Sequence, residues 1–411
     1  MNDRWVVGDH TGLSFPADPA ALREGGVAFL SDAFQTHVDR IVSCEEVRGG
    51  STGRKMALDV AYRTPDADRH TELFVKFSRD FDDPVRDRGR TQMQSEVMFA
   101  SLSRAPGFPI AVPRVQFADY HRDTGTGILI SRRIAFGSNG IEPQYHKCLD
   151  YQMPMAAEHY RALLTALARL AGAHRSGRLA TLTERFPVDL RAAAVGEPPP
   201  MTPERLHRRI AEMVEFADAH PRLLPDNVRT HEFLDRLAVE APRVLGQEAS
   251  IWDCLAGASD YIALSHWNAN VDNAWFWTDA DGVLRCGLMD WGCVSQLNVA
   301  MAIWGAMSAA ETDLWNHHLD EFLELFCGEV HASGGPKLDS QELCRQVTRY
   351  AVLMGVRWLM DVPRLIEAKA PRATHRMDPA IRNDEGVRAP LQMLCNVLNL
   401  WESRGYGDPP T

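Results

Sequence analysis

The chain has 411 residues, 45% of them apolar and 24% charged, which is the composition of an ordinary globular protein with room for one large domain or two lobes. Acidic residues exceed basic ones by 11, which argues against a nucleic-acid or anionic-membrane surface. No run approaches the roughly 20 apolar residues that span a bilayer, so no membrane partner is expected. The eight cysteines are scattered without CxxC or Cys/His clusters, which reads as reduced thiols, no zinc site and a cytoplasmic protein.

Residues 18–40 are expected to turn helical in their second half. The period then changes. "IVSCEEV" and "KMALDVAYR" read as two strands of a hairpin whose tip is "RGGSTGR". "TELFVKF" (71–77) is a third strand. "RTQMQSEVMFASLSR" (90–104) has helical periodicity, and "VPRVQFADY" and "GILISRRI" are two more strands. Beyond residue 134 the pattern is mainly helical. "AAEHYRALLTALARLAGAHR" (156–175) is a strongly amphipathic helix. "VGEPPPMTP" (195–203) is a linker, and Thr202 before Pro203 is a helix start. Helices are expected over about 203–217 and 229–241. An island of short strands with a turn at "DADG" follows around residues 261–292, Leu297–Ala310 reads as a buried helix, and helices continue with a stop at "SGGP" (333–336). The expected fold class is α+β: a β-rich lobe over residues 1–134 and a helical lobe over 135–411. A cleft between lobes is a usual ligand site.

The candidate functional residues lie in a fixed order. "GGSTG" (49–53) offers Gly50, Ser51 and Gly53, small enough for backbone to approach phosphates, although the same residues make a plain turn. Lys76 stands inside the apolar strand "LFVKF", where it is either a snorkelling residue or a phosphate cation. Glu96 follows on the next helix. Asn273 and Asp290 flank a short hairpin that can bring them together, and "LMDWG" puts Asp290 at a strand end, a natural place for an Mg²⁺ ligand. Phosphoryl transfer needs such a set: a small loop, a strand lysine, a carboxylate to orient it, and an Asn/Asp metal pair.

With "HWNANVDN" (266–273) and "GLMDWG" (287–292), the chain resembles the aminoglycoside phosphotransferase and choline kinase superfamily, which shares the bilobal protein-kinase-like fold, and within it the ecdysteroid-kinase-like enzymes. The resemblance runs from about residue 40 to 330 and includes "LARLAGAH" (167–174), similar to the helix such enzymes carry before the loop. It implies ATP and Mg²⁺ as cofactors. Lys76 and Glu96 would anchor the nucleotide under the "GGSTG" loop, and "ISRRI" (130–134) would be the hinge beside the adenine. Asn273 and Asp290 would hold Mg²⁺. A hydroxylated small molecule would be the acceptor, bound in the helical lobe around 138–160, 203–250 and the C-terminal helices.

The departure is at the loop. Such enzymes read His-Gly-Asp where this chain reads His266-Trp267-Asn268. An amide orients a hydroxyl but cannot take its proton, and general-base help is worth about 10²–10⁴ in rate. Asp272 is the nearest carboxylate in the loop, and His266 reads as a residue that holds the loop. Three readings follow: a phosphotransferase without the usual base, a kinase-like binder that transfers nothing, or another transfer, such as of a nucleotidyl group. Trp267, Trp275, Phe276 and Trp277 either pack the hairpin or line a site for an apolar or aromatic alcohol. Oligomeric state is not legible.

Overall fold

The computed structural model describes residues 4–47, 53–64, 69–83, 90–179, 184–193 and 200–406. The chain forms two compact units. One comprises Met1–Glu142 with the returning segments Ala180–Pro187 and Gly287–Val294, and the other comprises Pro143–Leu179, Val188–Cys286 and Ser295–Thr411. The fold class is α+β, with a β-rich N-terminal region and a mainly helical remainder.

The sheet unit begins with a short hairpin that the sequence pattern did not reveal, β1 (Trp5–Val7) and β2 (Ser14–Pro16). Helix α1 then spans Pro19–Phe34, so it fills the first part of the 18–40 stretch rather than its second half. The reason is local. Asp18 accepts a hydrogen bond from the Ala21 amide at 2.7 Å, and Pro19 occupies the first helical turn, a strong start signal. Five antiparallel strands follow: β3 (Val38–Val47), β4 (Arg54–Tyr62), β5 (Glu72–Phe77), β6 (Val115–His121) and β7 (Thr126–Arg132), in the order β3-β4-β5-β7-β6. Alternation decides the faces. Met56, Leu58, Val60, Leu73, Val75, Phe77, Ile128 and Ile130 join one core with Leu22, Phe29 and Leu30 of α1. The other face carries Lys76 and meets α2 (Arg90–Leu102), whose Met93 and Val97 pack with Tyr120.

The helical unit is built on α3 (Ala156–Arg175), followed by α4 (Pro203–Ala219), α5 (His231–Gly246) and α6 (Glu248–Gly257). Thr202 and Thr230 cap α4 and α5 as their sequences imply. Two short strand pairs interrupt the helices. β8 (Ile262–His266) pairs with β11 (Val294–Asn298), and β9 (Ala274–Thr278) pairs with β10 (Leu284–Leu288) across a turn at Asp279. The Asp279 carboxylate accepts from the amides of Asp281 and Val283, which closes that turn. Helix α7 (Val299–Met307) is buried along its whole length. It is followed by α8 (Thr312–Ala332), α9 (Ser340–Met354), α10 (Val362–Lys369) and α11 (Glu385–Arg404). Asn298, fully buried, caps α7 and also donates to the Leu255 carbonyl and to Gln346 Oε1 at 2.7 Å, tying β11 to two helices. A Cβ at Gly172 would lie 2.5 Å from the Val330 carbonyl oxygen, so α3 and α8 touch backbone to backbone there.

All eight cysteines are free thiols, four of them buried. Among the described residues no helix is long and apolar enough to cross a membrane.

The hairpin β1–β2 depends on one carboxylate. Asp119, on β6 and fully buried, accepts from the amides of His10 (3.1 Å) and Thr11 (2.9 Å) and from the Thr11 hydroxyl. Asp119→Ala should cost about 2 kcal/mol by orphaning these donors. Chemical denaturation would measure that loss, and hydrogen exchange should show residues 8–12 losing protection first. Unchanged protection there would contradict the assignment.

Candidate active site

Lys76 lies on the face of the sheet that meets α2. Its side chain is 4% exposed. Its Nζ donates to Glu96 Oε2 and to Asp290 Oδ1, both at 2.6 Å. A buried ammonium is tolerated only when it is paired in this way. Burial works against its charge, but Asp290 and Glu96 together more than offset that and raise its pKa. Burial also raises the Glu96 pKa, with Lys76 pulling it back.

Each partner is positioned by its own element. Glu96 lies on α2 one turn before Phe99. The indole of Trp291 stacks on the Phe99 ring, 3.7 Å between centroids and 14° between planes. The Trp291 Nε1 donates to the Leu288 carbonyl at 3.0 Å. Gly292 lets the turn approach α2, since a Cβ there would sit 3.2 Å from that of Gln92. Between these fixed points Asp290 adopts a left-handed conformation, φ 63° and ψ 62°, which is uncommon for a residue with a side chain. The Asp-Trp-Gly order thus has a physical meaning: the carboxylate faces Lys76 while Trp and Gly dock the turn on the helix that carries Glu96.

A second lysine belongs to this cluster. Lys55 on β4 pairs directly with Lys76 on β5, and its Nζ lies 3.8 Å from Asp290 Oδ2. The sequence reading passed over it. The signal was its place in the alternation of "KMALDV", on the face opposite Met56 and Leu58. Gly50 and Ser51 lie outside the described residues. Gly53 has a structural reason to be glycine: a Cβ would meet the Phe77 carbonyl oxygen at 1.9 Å. The 130–134 stretch forms the end of β7 and the residues after it, where Arg133 pairs with Asp59 at 2.7 Å.

In the helical unit, residues 266–273 form a loop braced by its own side chains. The Asn268 amide donates to His266 Nδ1 at 3.2 Å, and His266 is fully buried. The Asn268 side-chain oxygen accepts from Asn270 Nδ2 at 2.6 Å. Asn273 Nδ2 donates to the Asn268 carbonyl at 2.8 Å, so that bond leaves the Asn273 amide oxygen uninvolved. Asp272 is turned to another task. It faces Lys147 at 3.3 Å, and Lys147 also pairs with Glu385. Burial raises the Asp272 pKa, with Lys147 opposing.

Trp267 is anchored on the helices. Its Nε1 donates to the Tyr350 hydroxyl at 2.8 Å, and its carbonyl oxygen packs where a Cβ on Gly305 would stand, 1.6 Å away. Phe276 is buried against His159 and Tyr145, while Trp275 and Trp277 stack on each other at 6.2 Å. Asp150 is buried and accepts from Tyr160 at 2.8 Å, and Asp361 is ion-paired with Arg205 and Arg209.

His174, in the "LARLAGAH" helix, accepts from the Leu264 amide through Nδ1 at 3.2 Å. That bond requires the neutral ring and steadies β8, which leads into the loop. Burial, with Arg175 beside it, lowers the His174 pKa from 6.5 to about 4. Folding therefore opposes protonation. The stability is complete above pH 6.5 and is lost as pH falls from 6.5 toward 4, where the unfolded chain binds a proton that the folded one refuses. His174→Gln should remove this part of the acid sensitivity. Denaturation midpoints of both proteins between pH 4 and 7.5 should show the native protein losing ground to the variant only below about pH 6.5. A difference that is flat with pH would contradict the assignment.

No protein-family model matches the chain. No curated protein matches it either. Among solved structures it is similar to a spectinomycin phosphotransferase in complex with ADP and spectinomycin, 11% identical with a TM-score of 0.43, covering 92% of this chain and 96% of that one. It is similar to a microcompartment-associated aminopropanol kinase, 12% identical with a TM-score of 0.43, covering 93% and 98%. It is also similar to the ethanolamine kinase of Plasmodium vivax, 12% identical with a TM-score of 0.40, covering 86% and 80%. A likeness this distant fixes neither nucleotide nor acceptor.

Proposed function

We propose that this protein is an ATP- and Mg²⁺-dependent phosphotransferase acting on a hydroxyl of a small molecule, of the ecdysteroid-kinase-like kind. The observation that carries the reading is the buried Lys76 between Glu96 and Asp290. A buried lysine with two carboxylates is an expensive arrangement for stability alone. It is an economical one for a site that takes up a polyphosphate and a divalent cation. Lys76, oriented by Glu96, would hold the nucleotide phosphates together with the 49–53 loop. Asp290 through its carboxylate and Asn273 through its amide oxygen are hard oxygen donors of the kind magnesium prefers. Bound magnesium would neutralise charge on the phosphates and polarise them toward attack.

In transfer, the acceptor oxygen forms a bond to the terminal phosphorus as the bond to the leaving diphosphate breaks. Asn268 would orient the acceptor hydroxyl. It cannot take the proton, which passes to the transferred phosphoryl group or to water. A loose transition state develops little need for a base, so the reaction survives with a modest loss of rate. Asp272 is a poor substitute because Lys147 holds it. The Trp-rich hairpin suits an apolar or aromatic alcohol as acceptor. A cytoplasmic location agrees with eight free thiols.

A second reading has one observation in its favour. With an amide at 268 the site can bind a nucleotide and transfer nothing. Phosphorus NMR of Mg·ATP with a pool of hydroxylated metabolites separates the two. The native protein should build a new phosphomonoester signal, and Asn268→Asp should build it about tenfold faster or more. The loop can accept the change, because Asn270 donates equally well to a carboxylate oxygen. Nucleotide binding with no transfer by either protein would establish the binder. An acceptor heavier by a nucleotide instead of a phosphate would establish nucleotidyl transfer.

A further inference from the structure

Lys55 and Lys76 stand side by side on adjacent strands, with their side chains on the same face of the sheet. Like charges in that arrangement destabilise a sheet. Lys55 is also largely buried, its side chain 16% exposed. Its link to Asp290 is long, 3.8 Å, whereas Lys76 already holds the same carboxylate at 2.6 Å. Pairing with Asp290 therefore does not account for a second lysine. If Asp290 held a metal ion, Lys76 would keep Glu96, and Lys55 would be available to an anion bound with the metal.

We propose that Lys55 is a second phosphate-binding lysine, which contacts the nucleotide's phosphate chain once Asp290 is engaged by magnesium. This rests on the nucleotide reading above. Two lysines paired across β4 and β5 would both suit an extended polyphosphate, and the specificity would be for phosphate number rather than for the base. A charge-assisted contact of this kind carries a good share of nucleotide affinity.

Calorimetric titration of Mg·ATP, Mg·ADP and adenosine tests it on the native protein, Lys55→Met, Lys55→Arg and Lys76→Met. Lys55→Met should weaken Mg·ATP binding about ten- to a hundredfold, leave adenosine binding unchanged, and be largely rescued in Lys55→Arg. Native affinity for Mg·ATP in Lys55→Met, or an equal loss for adenosine, overturns the role of Lys55 alone. If the native protein binds no nucleotide, or Lys76→Met binds Mg·ATP like the native protein, the site reading falls and this inference with it. Should Lys55→Met not fold, acetic anhydride labelling of the native protein decides. Mg·ATP should protect Lys55 and adenosine should not, and labelling indifferent to Mg·ATP overturns the proposal.

Discussion

A buried ammonium must be paired, and here that requirement organises a whole unit. Lys76 gathers Glu96 from α2 and Asp290 from the turn after β10. Removing either carboxylate leaves Lys76 paired with the other, whereas removing both would strand a buried ammonium. The stacked Phe99 and Trp291 rings, and the close approach allowed by Gly292, serve the same end from the apolar side. Helix, strand and turn are thus fastened at one point, and that point is made of the groups a phosphate and a divalent cation would use. The left-handed backbone of Asp290 fits this picture, since strain of this kind persists only where the surroundings dictate it.

The 266–273 loop is held by different means. Hydrogen bonds run among His266, Asn268, Asn270 and Asn273, and the Asp272 carboxylate ties the loop to Lys147. That bears on the proposed chemistry. Asn268 is hydrogen-bonded through its backbone amide, its carbonyl and its side-chain oxygen, and Trp267 is tied to Tyr350 through a hydrogen bond that a glycine could not make. Trp267 and Asn268 are thus both held in place by hydrogen bonds.

Much of the fold was legible because alternation and helical period are local properties. The sheet strands, the amphipathic helix 156–175 and the fully buried helix near 299–307 follow from spacing alone. The first hairpin was not, because strands of three residues carry no period, and its anchor Asp119 is more than a hundred residues away. The 18–40 helix was misplaced because its apolar residues drew attention from the start signal at Asp18 and Pro19. Within the site, Lys76, Glu96 and Asp290 could be read together from their order along the chain. Lys55 could not, since its position beside Lys76 appears only when the register of β4 on β5 is known. The anchoring of Trp267 needs Gly305 and Tyr350, which no local pattern connects to it. Asp272 looked available in the sequence, but Lys147 claims it from a distant segment.

The metal-ligand role proposed for the Asp290 carboxylate facing Lys76 has a measurable consequence for nucleotide binding. Titration of a fluorescent ATP analogue with and without Mg²⁺ tests it most directly, on the native protein and on Asp290→Asn. The native protein should bind the analogue more tightly with magnesium, and Asp290→Asn should lose most of that increment while still binding the metal-free nucleotide. An increment of the same size in both proteins, or none in the native one, would contradict the account.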